Sequence, residues 1–253
     1  MLLVIDVGNT NTVLALLEGK LVQTTWRVSS AFSTTDEVGL QLTQLLALKG
    51  HHQDQVTGVI VSCVVPEVLY ALEKASHRYL GCKPLIVGRG IKTGIRVRTE
   101  NPREVGSDRI VNSVAALEVW GAPLVVVDFG TATTFDCVNG DGDYVGGAIA
   151  PGLQISTEAL FQKTSKLPHI SIAKPKRFIG TNTITSMQSG VFWGYVGLVE
   201  RLVRGCREEL GGKATVVATG GLSNLVGRAC EEIQHIEPNL TLQGLHLLYE
   251  RNK

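Results

Sequence analysis

Apolar and polar positions near the start of the chain spell out a hairpin. Leu3-Val4-Ile5 and Val13-Leu14-Ala15-Leu16 are two apolar runs, and Asp6-Val7-Gly8-Asn9-Thr10-Asn11-Thr12 lies between them. This pattern predicts strand, tight polar turn, strand. Leu21–Val28 predicts a third strand that completes a meander. Val38, Leu42, Leu45, Leu46 and Leu48 then recur at helical spacing, so residues 36–49 read as a helix with Thr35 or Asp36 as its cap. The β-branched run Val56–Val65 reads as a buried strand, Glu67–Leu80 as a helix and Lys83–Val87 as a short strand. Strands and helices in this order predict an α/β lobe with a mixed sheet.

Further on, Asn101 and Pro102 suit a helix start, Gly106 interrupts, and Ser107 can cap again. Ile110, Val111, Val114, Ala115 and Leu117 mark one face of the helix that follows. Leu124–Val127 opens a second hairpin, Asn139–Gly142 is a tight turn, and residues 153–162 read as a helix. Phe178–Ile184 reads as a polar loop leading into a Met187–Arg204 helix, in which Gly190, Gly194 and Gly197 let one face approach another backbone. Ala214–Ala218 reads as a strand ending on Gly220-Gly221, a usual place for a nucleotide's base or sugar, and Thr241–Arg251 as a closing helix.

The second hairpin repeats the first. Leu3–Thr12 aligns without gaps on Val125–Thr134, with Asp6 over Asp128 and Gly8 over Gly130. Such self-similarity predicts a duplicated fold, drawn as residues 1–118 and 119–253, with a nucleotide between the halves.

Composition narrows the classes. With 253 residues, 44% hydrophobic and 19% charged, the chain suits a folded enzyme and not a disordered one. A formal charge of +1 without a basic run gives no support for nucleic-acid binding. No apolar stretch approaches a membrane span, and the N-terminal run breaks at Asp6, unlike a signal peptide. The five scattered cysteines lack a C-x-x-C pair and fit reduced thiols, so a cytoplasmic location is expected. His51-His52 has no ligand-type neighbour at metal spacing and reads as a solvated loop or helix end.

The candidate chemistry sits in the polar stretches. Gly8 lets backbone approach an anion, and Asn9, Thr10 and Thr12 can donate to phosphate oxygens. Asp6 can hold a hydrated Mg²⁺ ion. An ordinary hairpin turn uses the same residue types. Asp108 and Arg109 fall in a helix's first turn, where the macrodipole favours the aspartate and disfavours the arginine. Arg109 therefore points to a ligand or carboxylate partner, with a surface ion pair as the alternative.

Asp6–Thr12, Gly106-Ser107-Asp108-Arg109, Asp128-Phe129-Gly130-Thr131-Ala132-Thr133-Thr134 and Gly146-Gly147-x-Ile149-x-Pro151-Gly152 occur in that order. Together they resemble the type III pantothenate kinases over essentially the whole chain. That family belongs to the acetate kinase, sugar kinase, heat-shock chaperone and actin superfamily. The resemblance implies an α/β, duplicated ribonuclease-H-like (actin-like ATPase) fold, its two lobes built on mixed sheets flanked by helices. It also implies a homodimer with a site at the lobe and subunit boundary.

The implied reaction is transfer of the ATP γ-phosphoryl group to the primary hydroxyl of pantothenate, the first step of coenzyme A synthesis. By similarity, Asp6, Val7, Gly8, Asn9, Thr10, Asn11, Thr12 and Val13 cradle ATP and its Mg²⁺, and Thr131 touches ATP. Asp108 is the base. Gly106, Ser107, Asp108 and Arg109 grip pantothenate with Thr183, and Asp128 binds a monovalent cation, K⁺ or NH₄⁺. The family often carries a substrate-contacting tyrosine nine residues before that base, where this chain has Thr99. A first-turn position predicts a lowered pKa for Asp108, tolerable because phosphoryl transfer has a loose transition state. Two other readings stand beside this one: a kinase of the superfamily acting on a sugar or another alcohol, and a non-catalytic regulator reusing the fold.

Overall fold

The computed structural model describes residues 1–31, 34–88 and 90–253. They divide into two compact units. Residues 1–94, 103–115 and 241–253 form the first, and 95–102 with 116–240 form the second.

The first unit opens with the predicted meander, β1 (Leu2–Val7), β2 (Asn11–Glu18) and β3 (Leu21–Ser29). Then come α1 (Thr35–Leu48), β4 (Gly58–Cys63), α2 (Pro66–Leu80), the short β5 (Leu85–Ile86) and α3 (Ser107–Trp120), which belongs to this unit as far as Ala115. The sheet order is β3-β2-β1-β4-β5, with β1 antiparallel to β2 and parallel to β4. Leu3, Ile5 and Val7 pack with Val59 and Val61 against Val38, Leu42, Leu46, Val68 and Leu72 of α1 and α2. Side chains alternate along a strand, so Val4 and Asp6, with Ile60 and Ser62 beside them, belong to the opposite face. The cap of α1 is Thr34, one residue before the expected position. Its hydroxyl accepts from the Glu37 N–H at 3.2 Å, and the Glu37 carboxylate accepts from the Thr34 N–H at 2.9 Å.

The second unit contains β6 (Leu124–Phe129), β7 (Ala132–Val138), β8 (Tyr144–Pro151), α4 (Leu153–Gln162), α5 (Thr183–Glu209), β9 (Thr215–Thr219), α6 (Ser223–Val226) and β10 (His235–Ile236). Its sheet order, β10-β9-β6-β7-β8, repeats that of the first unit strand for strand. Val125, Val127 and Phe129 face Phe192, Tyr195, Val196 and Val199 of α5. That helix begins four residues before the expected Met187 and runs to Glu209, because the Asn182 side chain accepts from the Thr185 N–H at 2.9 Å and caps it. Thr183 therefore stands in a helical first turn and not in a loop.

Register corrects the gapless repeat. Val7 pairs with Thr12 across the first hairpin, whereas Phe129 pairs with Thr133 across the second. The second turn is thus one residue shorter, and Thr12 corresponds to Thr133, not Thr134. Hydroxyl-rich turns tolerate either pairing, so the slip leaves no mark on the sequence pattern.

The single boundary at residue 118 also needs correction. The closing helix α7 (Leu240–Asn252) belongs to the first unit from Thr241 onward. Gly244 lies so close to α3 that a Cβ there would meet the Val111 carbonyl, and Gly58 of β4 is covered by the Tyr249 hydroxyl. Leu242, Leu245 and Leu248 of α7 are buried, and burying such side chains outweighs chain order. Among the described residues no helix is long and apolar enough to cross a membrane, and all five cysteines are free.

Candidate active site

In the first unit, the β1–β2 turn is tied down from both ends. The Gly8 N–H donates to the Asn11 carbonyl at 3.1 Å. Ser30, just after β3, donates its hydroxyl to the Gly8 carbonyl at 2.6 Å and its N–H to the Thr10 carbonyl at 3.2 Å. The Thr12 hydroxyl lies 3.0 Å from that of Ser30 and is buried. It braces the turn, so the expectation that it donates to phosphate does not fit its position. Val7 is buried as well and Val13 half-buried, so both offer backbone only. Asn9, Thr10 and Asn11 are exposed and carry the turn's outward polar groups. Ser30 was not singled out in the sequence, because a serine ending a strand looks like any other.

Asp6 and Asp108 belong to one polar cluster on the sheet face opposite α1 and α2. Asp6 is in register with Ser62 on β4, and the Ser62 hydroxyl hydrogen-bonds the Asp6 carboxylate. Ser62 also lies 3.1 Å, hydroxyl to hydroxyl, from Ser107 in the first turn of α3. The next residue is Asp108, whose Oδ1 accepts from the Arg109 N–H at 2.9 Å. A Cβ on Gly106 would collide with that same Oδ1, so glycine makes room for the carboxylate.

Burial first, and the charge of Asp108 next, push the Asp6 carboxyl up from 3.8 to about 7, against the Ser62 hydrogen bond and the charge of Arg27. Burial also raises Asp108, outweighing the Arg109 N–H and the Arg109 guanidinium. The lowered value expected from the helix position is therefore reversed: desolvation beats the macrodipole here. Arg109 is half-buried, and its charge acts on a carboxylate rather than on solvent.

The second unit repeats the arrangement around Asp128. This residue is the last but one of β6 and lies between Thr134 and Thr219. The Gly130 N–H donates to the Ala132 carbonyl at 3.1 Å, the shorter counterpart of the Gly8 turn. Thr133 is buried against the Tyr195 hydroxyl, as Thr12 is against Ser30. A Cβ on Gly152 would strike the Thr131 carbonyl, and one on Gly147 the Phe135 carbonyl. The glycine-rich β8 motif thus exists for close backbone packing behind the turn. Thr131 at the tip and Thr183 in the first turn of α5 are both exposed.

The donor sets suit hard cations. No group of three or more His, Cys, Asp or Glu side chains converges among the described residues. Asp6 and Asp108 instead form a desolvated like-charge pair, and a cation at Asp6 would relieve it. One carboxylate with open neighbouring positions matches Mg²⁺, which keeps waters and substrate oxygens as its other ligands.

Comparison with known proteins gives the same direction. A family model described as type III pantothenate kinase matches residues 2–205. Proteins named type III pantothenate kinase from Geobacter sulfurreducens and Moorella thermoacetica are 52% and 49% identical, each comparison covering 100% of both chains. Among solved structures, a Campylobacter jejuni protein described as a Baf family transcriptional activator matches with a TM-score of 0.62 at 16% identity, over 98% of this chain and 97% of that one. A Sinorhizobium meliloti protein described as a 2-dehydro-3-deoxygalactonokinase matches at 0.60 and 11%, over 99% and 98%. The Clostridium difficile activator of 2-hydroxyisocaproyl-CoA dehydratase, with bound ADPNP, matches at 0.55 and 13%, over 97% and 92%. At these identities the structures establish the fold alone, that of the actin-like ATPases and sugar kinases.

Proposed function

This chain belongs to the type III pantothenate kinase family, and we propose that it carries out the family reaction with Asp108 facing the primary hydroxyl of pantothenate. The reaction is ATP-dependent phosphorylation of pantothenate to phosphopantothenate, the entry to coenzyme A biosynthesis. What supports the role of Asp108 is its half-buried carboxylate, raised above the usual range and held by the Arg109 N–H next to the space left by Gly106.

In the first unit, the Gly8–Asn11 turn presents its outward side chains and amides to the ATP phosphates, and Asp6 would hold Mg²⁺. Mg²⁺, when bound, neutralises phosphate charge and orients the phosphates. Gly106, Ser107 and Arg109 flank pantothenate while Asp108 orients its hydroxyl and accepts the proton late. In the second unit, Thr131 meets ATP, Asp128 holds a monovalent cation and Thr183 meets pantothenate. Thr99, with a short side chain at the family's tyrosine position, leaves that contact to another residue.

The protein acts in the cytoplasm as a homodimer. Gly190, Gly194 and Gly197 line one face of α5 with open space beside each, and Ile184 and Phe178 nearby are exposed. Analytical ultracentrifugation is expected to give twice the chain mass, and a monomer at micromolar concentration would contradict it.

Two outcomes check the reaction and its geometry. Purified protein supplied with Mg²⁺, KCl and ATP is expected to consume ATP with pantothenate and not with a panel of sugars and simple alcohols, with the product identified by mass spectrometry. Turnover on a sugar, or none on pantothenate, would favour the other two readings of the sequence. Gly106→Ala is expected to lower kcat about 10- to 100-fold by displacing the Asp108 carboxylate. Its thermal midpoint should stay near wild type, since the obstructing atom ends a movable side chain.

A further inference from the structure

Thr219 ends β9 in register with Asp128 of the parallel strand β6. Parallel neighbours in register project to the same face. Val127 and Ala218, one residue earlier on each strand, face the α5 core, so Asp128 and Thr219 share the other face. Thr219 is 1% exposed, and its Oγ1 has no hydrogen-bond partner. A buried hydroxyl left in this state is costly and rare in native proteins.

The duplicated fold supplies an internal control. Ser62 stands beside Asp6 as Thr219 stands beside Asp128, and Ser62 is satisfied by Asp6 and Ser107. On the other side of Asp128, the Thr134 hydroxyl is spent on the Asp136 carboxylate at 3.0 Å. Next along the chain, Gly220 has φ +90°, and a Cβ there would collide with Asp128 Oδ1. Glycine therefore keeps the chain from filling the space next to this carboxylate.

We propose that Thr219 Oγ1 is a ligand, together with Asp128, of the monovalent cation. The assignment rests on the reading of Asp128 as that cation's carboxylate ligand. A carboxylate and a neutral hydroxyl are hard oxygen donors carrying a single negative charge between them. This suits a large monovalent ion better than Mg²⁺, which demands near-octahedral order. The hydroxyl oxygen offers a lone pair to the ion, and its proton points away from it.

The test is a thermal melt of the full-length protein without nucleotide, titrated with KCl against tetramethylammonium chloride at matched ionic strength, with calorimetric titration of K⁺ alongside. Wild type is expected to gain stability in KCl through binding linkage. Thr219→Val keeps the shape and removes the hydroxyl. It is expected to melt about 2–4 °C higher without K⁺, because the stranded polar atom is gone, and to bind K⁺ at least about 10-fold more weakly. Thr219→Ser is expected to restore K⁺ binding to within about threefold. Loss of K⁺ binding in Asp128→Asn with unchanged binding in Thr219→Val would overturn the role of Thr219 alone. Unchanged binding in both variants would overturn the assignment of Asp128 as well.

Discussion

Asp108→Asn is expected to lower kcat by at least about 100-fold while ATP affinity stays within about twofold of wild type. Asparagine keeps the shape and can still accept the Arg109 N–H, so the first turn of α3 should hold its place. What disappears is the acceptor for the substrate proton and a negative charge whose pKa burial has raised. A carboxylate with a raised pKa is a better proton acceptor than an ordinary one, and the raised value also fixes the direction of the pH dependence. Wild-type kcat should fall as pH drops through it, and the residual activity of Asp108→Asn should lose that dependence. Steady-state kinetics from pH 5 to 9, with calorimetric titration of an ATP analogue, checks both. Near-normal turnover in the variant would remove Asp108 from the reaction.

Asp6→Asn should give a protein that is more stable yet at least about 100-fold less active. The sign follows from its pKa. Unfolded, the carboxyl has a value of 3.8; folded, burial and Asp108 push it to about 7. Below the unfolded value both states are protonated and the charge costs nothing. Between 3.8 and about 7 the unfolded chain releases this proton while the folded protein holds it, so wild type loses stability across that window and levels off above it. At about 1.4 kcal/mol per pKa unit, discounted because Asp6 is not wholly enclosed, the variant should gain about 2–4 kcal/mol at pH 8. The gain should shrink toward zero as pH approaches 4, and urea unfolding at several pH values measures it. Functional sites commonly hold such stability costs. Added Mg²⁺ should narrow the gap by stabilising wild type alone. A variant less stable than wild type at pH 8 would contradict this account of Asp6.

Much of this architecture could be read before any coordinates. Both hairpins, the duplicated Asp6 and Asp128, and Asp108 at a helix start follow from local pattern, because apolar alternation and glycine placement act over a few residues. What could not be read depends on contacts between distant segments. Ser62 lies 56 positions from Asp6 and becomes its neighbour only through the β1–β4 register. Thr219 becomes the neighbour of Asp128 in the same way. The direction of the Asp108 shift is not legible in the sequence, because the macrodipole is visible there and desolvation is not. The role of Thr12 depends on its brace, Ser30, which reaches the turn from just beyond β3. The return of α7 to the first unit reflects its packing on α3 and β4, to which chain order gives no clue.

The most direct test is a crystal structure of the protein with Mg²⁺, a non-hydrolysable ATP analogue and pantothenate. The predicted result places the primary hydroxyl of pantothenate within about 3 Å of the Asp108 carboxylate, with the γ-phosphate on its far side and Asp6 reaching Mg²⁺ through water. A pantothenate hydroxyl turned away from Asp108, or phosphates bound clear of the Gly8–Asn11 turn, would contradict the account.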